Sequence, residues 1–150
     1  MLEVRDDHNC FGCGRLNPHG LRLRFSIQEG ERGVWAAFTP RPEDEGYGGM
    51  VHGGIVTTLL DEAMAWAIAV QGLWAVTAKI DVRFRSPVLI GLPLRAVGWV
   101  AADRGRLIET VGELRAAADG GLLAEATATF ARVSVDQERA WRERYLGDGA

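Results

Sequence analysis

Hydrophobic and polar positions alternate along this chain in two rhythms, and the switches between them mark its elements. Leu21, Leu23, Phe25 and Ile27 are separated by Arg22, Arg24, Ser26 and Gln28, the two-residue period of a strand with one buried face. A turn is predicted over 30–33 and a second, returning strand over 34–38, after which Pro40, Pro42 and the acidic run Glu43, Asp44, Glu45 end any ladder. From 55 to 70 the alternation vanishes into a proline-free stretch rich in Leu, Ala and Met, which predicts a helix. At about 100° per residue, Val56, Leu60, Ala63 and Ala67 share one face, yet Leu59, Met64, Trp66 and Ile68 spread apolar surface around most of the circumference. Such a helix must be buried nearly all round. Beyond Gln71 and Gly72 the two-residue period returns, with Ile80, Val82 and Phe84 set against Lys79, Asp81, Arg83 and Arg85 up to Pro87. Three more strands are predicted over 94–101, 107–116 and 122–133, linked by the turn sequences Asp103-Arg104-Gly105 and Asp119-Gly120-Gly121, so the four strands read as a meander. Asp136 is placed to cap a short charged helix over 137–145, anchored by Trp141 and Tyr145. The first 20 residues, dense in Gly, Asn and Pro from His8 onward, read as an irregular lead-in.

The order is therefore two strands, one long buried helix and four strands, an α+β arrangement in a single domain over 1–150. Strands without intervening helices pair antiparallel, and curling that sheet about the helix is the way to bury it. This arrangement resembles the hotdog fold, an antiparallel β-sheet wrapped around one long central helix. One sheet covers only one side of the helix, so a homodimer is expected, with pairing of dimers into a dimer of dimers left open.

Charge and cysteine usage narrow the function. A formal net charge of −3 argues against a partner held by phosphate contacts, so no nucleic acid is expected. The start, MLEVRDDHNCFGCG, lacks an apolar run behind a basic flank, and no segment reaches bilayer length. The expected setting is the cytoplasm, with no membrane partner. Cys10 and Cys13 are too few and too close for a disulfide framework and are read as reduced thiols. Together with His8 and His19 they are zinc-ligand types, but the compressed spacing favours a structural turn, and neither a metal nor another cofactor is expected.

Candidate chemistry centres on the helix. Asp61 and Glu62 interrupt its apolar middle, where an unpaired carboxylate costs several kcal/mol or takes up a proton. Either a buried arginine pairs with them or they serve a reaction. His52-Gly53-Gly54 stands where the helix begins, and first-turn N–H groups with the helix dipole favour negative charge there. Those donors can hold a developing oxyanion while a carboxylate drives water, or itself, onto a carbonyl carbon. Asp61 lies seven residues past Gly54, roughly 10 Å along the axis, and cannot reach its own helix start. A site built from both must be shared between two helices related by a two-fold axis. Asp61 shares an azimuth with Gly54, Thr57, Thr58 and Ala65, whereas Glu62 is turned toward Ile55 and Trp66, so Asp61 is the preferred catalyst and Glu62 the reserve.

The segment Gly49-Met50-Val51-His52-Gly53-Gly54-Ile55, followed by Leu59-Leu60-Asp61-Glu62-Ala63-Met64, resembles the PaaI/THEM4-type acyl-CoA thioesterases. So does Cys10-Phe11-Gly12-Cys13-Gly14 with Asn17, Gly20 and Leu21, and the resemblance runs over about 10–133. It implies hydrolysis of acyl-CoA thioesters: the Gly53 amide holds the thioester carbonyl, and Asp61 of the other protomer acts as base or nucleophile. Thr77 helps hold the attacking water and His52 supports the site, with Gly54, Thr57 and Glu62 as substrate-lining positions. Thr77 shares its parity with the polar positions Lys79, Asp81 and Arg83. One departure is Gly46, where several relatives carry Asn or Gln six residues before the motif histidine. Arg83, Arg85, Arg104 and Arg106 are candidates for gripping the phosphates of coenzyme A, set against ordinary solvated arginines. Two other functions fit the same fold: a non-catalytic acyl-CoA-binding sensor, and a hydratase or dehydratase. The latter would lean on His52, the sole histidine after residue 19.

Overall fold

The structure is a computed structural model and describes residues 4–28 and 33–146. Its elements are β1 (Ser26–Ile27), β2 (Gly33–Phe38), a 3₁₀ turn (Pro42–Asp44), α1 (Gly53–Ala69), β3 (Ala75–Phe84), β4 (Leu94–Asp103), β5 (Leu107–Ala116), β6 (Leu122–Arg132) and α2 (Val135–Leu146). The strands form one antiparallel sheet in the order β1-β2-β4-β5-β6-β3. α1 lies across β4 and β5, with lesser contact to β3, β2 and β6. This is the hotdog architecture expected from the strand and helix pattern.

The core is the seam between α1 and the sheet. Val56, Leu59, Leu60, Ala63, Met64, Ala67 and Ile68 are buried on the helix, facing Ala36, Leu94, Ala96, Ile108, Leu114 and Phe130 from the strands. Each of the larger aliphatic side chains contributes about 1.5–3 kcal/mol by leaving water. Two glycines set how close the helix lies. A Cβ on Gly98 of β4 would stand 2.4 Å from the Ala63 carbonyl oxygen, and its register partner Gly112 on β5 would meet Met64 Cγ at 3.2 Å. The opposite flank of α1, with Thr57, Thr58, Asp61 and Ala65, is only half covered within the chain.

Four sequence expectations are corrected. The strand predicted from Leu21 is regular only over Ser26–Ile27. Its burial alternation holds at Leu21 and Leu23, which are buried, and fails at Ile27, which is exposed; the Leu21 and Leu23 N–H groups bond Phe11 and Gly12 carbonyls of the lead-in, and Arg22 adopts φ 51°. The meander covers β4 to β6 alone, because β3 pairs with β6 at the far edge. Pro87 and Pro93 bracket its connection to β4, and Val88 accepts the Val51 N–H, tying this crossover to the loop before α1. The last helix is capped by Ser134, whose Oγ accepts the Gln137 N–H at 3.2 Å, with Asp136 inside the first turn. The first helix begins two residues earlier than predicted, at Gly53. The predicted turn over 30–33 lies mostly outside the described residues. Among the described residues no helix is long and apolar enough to cross a membrane.

Candidate active site

The segment before α1 is a small folded-back loop. Glu45 and Val51 form a bridge, Gly46 N–H bonds Met50 O, and Gly49 takes a positive φ that few other residues adopt. The loop is fixed at its base by Asp44, which is buried and accepts from the Arg41 backbone N–H at 2.8 Å and the Arg41 guanidinium at 2.9 Å. Burial alone would push the Asp44 carboxyl up, but the hydrogen bonds and charge of Arg41 outweigh it and hold it below its ordinary value. The Asp44 carbonyl in turn takes the His52 N–H at 2.9 Å. An ion pair thus positions the residue that opens the helix.

His52 is the N-cap of α1, and its Nδ1 accepts the Gly54 N–H at 2.8 Å. The Ile55 and Val56 N–H groups go to the His52 carbonyl. Of the first-turn donors, the Gly53 N–H alone has no partner among the described residues. It is therefore the group able to meet a ligand oxygen, as the sequence reading of Gly53 requires, whereas the Gly54 amide is already taken. A Cβ on Gly53 would lie 3.6 Å from the Phe84 ring, which walls this donor on one side. Phe84 was legible only as a strand residue, since nothing in its spacing relates it to the helix start.

About two turns further on, Asp61 lies half-buried on the half-covered flank of α1, and Thr77 Oγ1 donates to its Oδ1 at 2.7 Å. No described Lys or Arg forms an ion pair with Asp61 or with Glu62. Strict alternation would put Thr77 with Lys79 on the outer face. A β-bulge between Thr77 and Lys79 resets the register: Thr77 opposes buried Phe130, Lys79 opposes Thr129, and Ile80 opposes buried Ala128. The hydroxyl therefore faces the helix. Thr57 Oγ1 donates to the Gly53 carbonyl at 2.8 Å, so its hydroxyl hydrogen is committed within the helix.

Glu62 is turned away from Asp61 toward the N-terminal loop, with its carboxylate against Cys10 Sγ at 3.8 Å and Gly12. Burial pushes its carboxyl up to about 7, and the charge of Cys10 adds to the effect. The Cys13 thiol, hydrogen-bonded to Cys10, draws the Cys10 thiol down to about 5 and is itself pushed up. His8 accepts the Cys10 N–H through Nδ1 at 3.3 Å, and exposed His19 stands apart. Gly46 packs against the helix start, where a Cβ would come 3.0 Å from His52 Cα. Of the four arginines considered for phosphate, Arg85 pairs with Glu125 and Arg104 with Glu109, while exposed Arg83 and Arg106 form no ion pair among the described residues.

Residues 48–123 match the family model described as Thioesterase superfamily. The acyl-coenzyme A thioesterase THEM4 of Xenopus laevis is 31% identical over 121 residues, covering 79% of this chain and 54% of that protein. The chain spans about half the length of the curated relatives it matches. A crystallised thioesterase superfamily protein superposes with a TM-score of 0.73 at 28% identity, covering 78% of this chain and 60% of its own. A hypothetical thioesterase protein from Streptococcus pneumoniae, crystallised with coenzyme A, shares the fold at a TM-score of 0.69 and 17% identity, over 75% of this chain and 89% of its own. The family match covers the later part of the helix-opening loop, the whole of α1 and three complete strands, and it includes both Gly53 and Asp61. This chain belongs to the thioesterase superfamily.

Proposed function

We propose that the protein hydrolyses acyl-CoA thioesters at a site shared by two protomers. The observation that carries the reading is Asp61: a half-buried carboxylate without an ion-pair partner among the described residues, held by the Thr77 hydroxyl on the half-covered flank of the central helix. A structural carboxylate in that place would be expected to find a cation. This one keeps its second oxygen for a water or a carbonyl carbon.

In this reading the Gly53 N–H receives the thioester oxygen, and the dipole of α1 supports the charge that develops on it. Asp61 of the partner subunit takes the proton of a water attacking the carbonyl carbon, or attacks that carbon itself. Thr77 fixes the carboxylate's orientation, and His52 keeps the first turn shaped by occupying the Gly54 amide. The thiolate of coenzyme A leaves; water attack releases the acid directly, and where Asp61 has itself attacked, a water then hydrolyses the acyl–aspartyl anhydride to release the acid and restore the carboxylate. Gly54 and Thr57 lie along the substrate path, on the same azimuth as Asp61. The coenzyme A in the Streptococcus pneumoniae relative and the name of the Xenopus protein support the substrate class.

A homodimer is part of the same proposal. β3 is a ten-residue edge strand exposing Val76 and Phe84 beside the half-covered flank of α1. Such an edge calls for pairing, and a second copy supplies it while bringing its own α1 alongside. The cytoplasm is the proposed compartment, a reducing setting that would keep Cys10 and Cys13 as free thiols. The test is a panel of acyl-CoA esters assayed for free thiol, with native protein and Asp61→Asn, alongside sedimentation of both. Turnover that disappears in a folded, dimeric variant supports the reading; full activity in that variant, or a fully active monomer, ends it.

A further inference from the structure

Cys10, Cys13 and Glu62 come from two parts of the chain and meet at one point. Their donor atoms, two sulfurs and a carboxylate oxygen, all lie within 4.8 Å of one another. The lead-in is shaped for this approach. A Cβ on Gly12 would stand 2.4 Å from Glu62 Cδ, so the loop presses bare backbone onto the carboxylate. Gly14 is equally tight, since a Cβ there would stand 2.4 Å from the His8 carbonyl oxygen and 2.5 Å from the Cys10 nitrogen. The backbone N–H groups of Gly12 and Cys13 turn toward Cys10 Sγ, as in a loop that presents sulfur to a cation.

The electrostatics lack a counterpart. All three groups are anions when deprotonated, and no described Lys or Arg forms an ion pair with Glu62. Sequence spacing could pair the two cysteines but had no means of bringing in a helix residue some fifty positions away.

We propose that Cys10, Cys13 and Glu62 bind a thiophilic divalent cation, zinc above all, which clamps the N-terminal loop onto α1. Two thiolates exclude magnesium and calcium in favour of a soft or borderline metal. Zinc takes sulfur at about 2.3 Å and carboxylate oxygen at about 2.0–2.2 Å in a tetrahedron, which needs donors roughly 3.5–4 Å apart. The Cys10–Glu62 separation of 3.8 Å already has that value. The fourth position goes to water from the adjoining cavity of about 240 Å³, lined by His8, Trp66, Trp74 and Tyr145. Binding releases the thiol protons, and any proton on Glu62, to solvent, with no change in oxidation state. Because Glu62 directly follows Asp61, the clamp also holds the helix turn that carries the proposed catalyst.

The test uses the full chain, reduced and stripped with a chelator, then titrated with Co²⁺ as the probe. One equivalent per chain with a sulfur-to-cobalt charge-transfer band, displaced stoichiometrically by Zn²⁺, is expected. Cys10→Ser and Cys13→Ser should lose the band, and Glu62→Gln should keep it with affinity lowered at least about tenfold, since loss of merely supporting groups already has that effect. Because a variant can fail to fold, alkylation of Cys10 is also followed in the native chain, where Zn²⁺ should slow it. No band in the reduced native protein, a band that survives Cys13→Ser, or alkylation indifferent to Zn²⁺ would overturn the proposal. So would a Cys10–Cys13 disulfide whose reduced form takes up no cobalt.

Discussion

Thr77 and Asp61 stand sixteen residues apart in the chain and 2.7 Å apart in space, joined by a hydroxyl-to-carboxylate hydrogen bond between β3 and α1. The bond removes a choice of rotamer from the carboxylate and leaves its other oxygen available. Asp61→Asn keeps the shape but loses the proposed base or nucleophile, so acyl-CoA hydrolysis should fall by about 10²–10⁴-fold. Thr77→Val removes only the orienting bond to a charged group, worth about 1.5–3 kcal/mol, and should cost roughly 10- to 100-fold. Steady-state thiol release with matched circular dichroism spectra measures both.

The Gly53 donor can be deleted without touching a side chain. Proline is well tolerated at the first helical position, and His52 already has the extended backbone, φ −58° and ψ 135°, that a following proline demands. Gly53→Pro should therefore keep the fold while removing the first-turn N–H that has no partner among the described residues. A loss of roughly 10²–10³ in kcat is expected, with a much smaller loss for Gly53→Ala, which retains the donor. Equal activity of the two variants would take the oxyanion role away from Gly53.

Why the sequence revealed some of this and concealed the rest is a matter of range. The period-two run over 94–101 and the apolar helix over 55–70 are local signals, and both stand within two residues of where the pattern puts them, at Leu94–Asp103 and Gly53–Ala69. Gly53 and Asp61 were legible as candidates because glycine bares the backbone at a helix start and an unpaired carboxylate in an apolar helix is costly. Three features are non-local. The bulge after Thr77 depends on pairing with β6, so alternation assigned that hydroxyl to the wrong face. The edge placement of β3 depends on which strand claims β6. The meeting of Glu62 with Cys10 requires knowing that the lead-in folds back over the helix.

The close seat of α1 on the sheet predicts a stability difference between two glycines that look alike in sequence. On Gly98 an added methyl meets backbone, the Ala63 carbonyl oxygen at 2.4 Å, which cannot swing aside. On Gly112 it meets the Met64 side chain at 3.2 Å, which can. Gly98→Ala should destabilise by about 2–3 kcal/mol and Gly112→Ala by less than about 1.5 kcal/mol. Urea midpoints at constant slope provide the comparison, and the reverse order would mean that the helix does not approach β4 at Ala63.

The Arg41–Asp44 pair beneath the helix-opening loop should impose an acid limit on stability. Burial works against the Asp44 charge, but Arg41 and its backbone N–H prevail, leaving the folded carboxyl below its ordinary value. A carboxyl with a depressed folded pKa binds fewer protons folded than unfolded. Its contribution is thus fully present above the unfolded value, about 3.9, and is lost as pH falls through the lower folded value. Asp44→Asn keeps an acceptor but forfeits the charge, and should cost about 1.5–3 kcal/mol at neutral pH. Measured by chemical unfolding at a series of pH values, the gap between native and variant should stay constant down to the ordinary carboxylate range and then close below it. The loss should also reach the reaction, because the Asp44 carbonyl holds the His52 N–H; a gap that is flat through the acid range would show that the loop is anchored by something other than this charge.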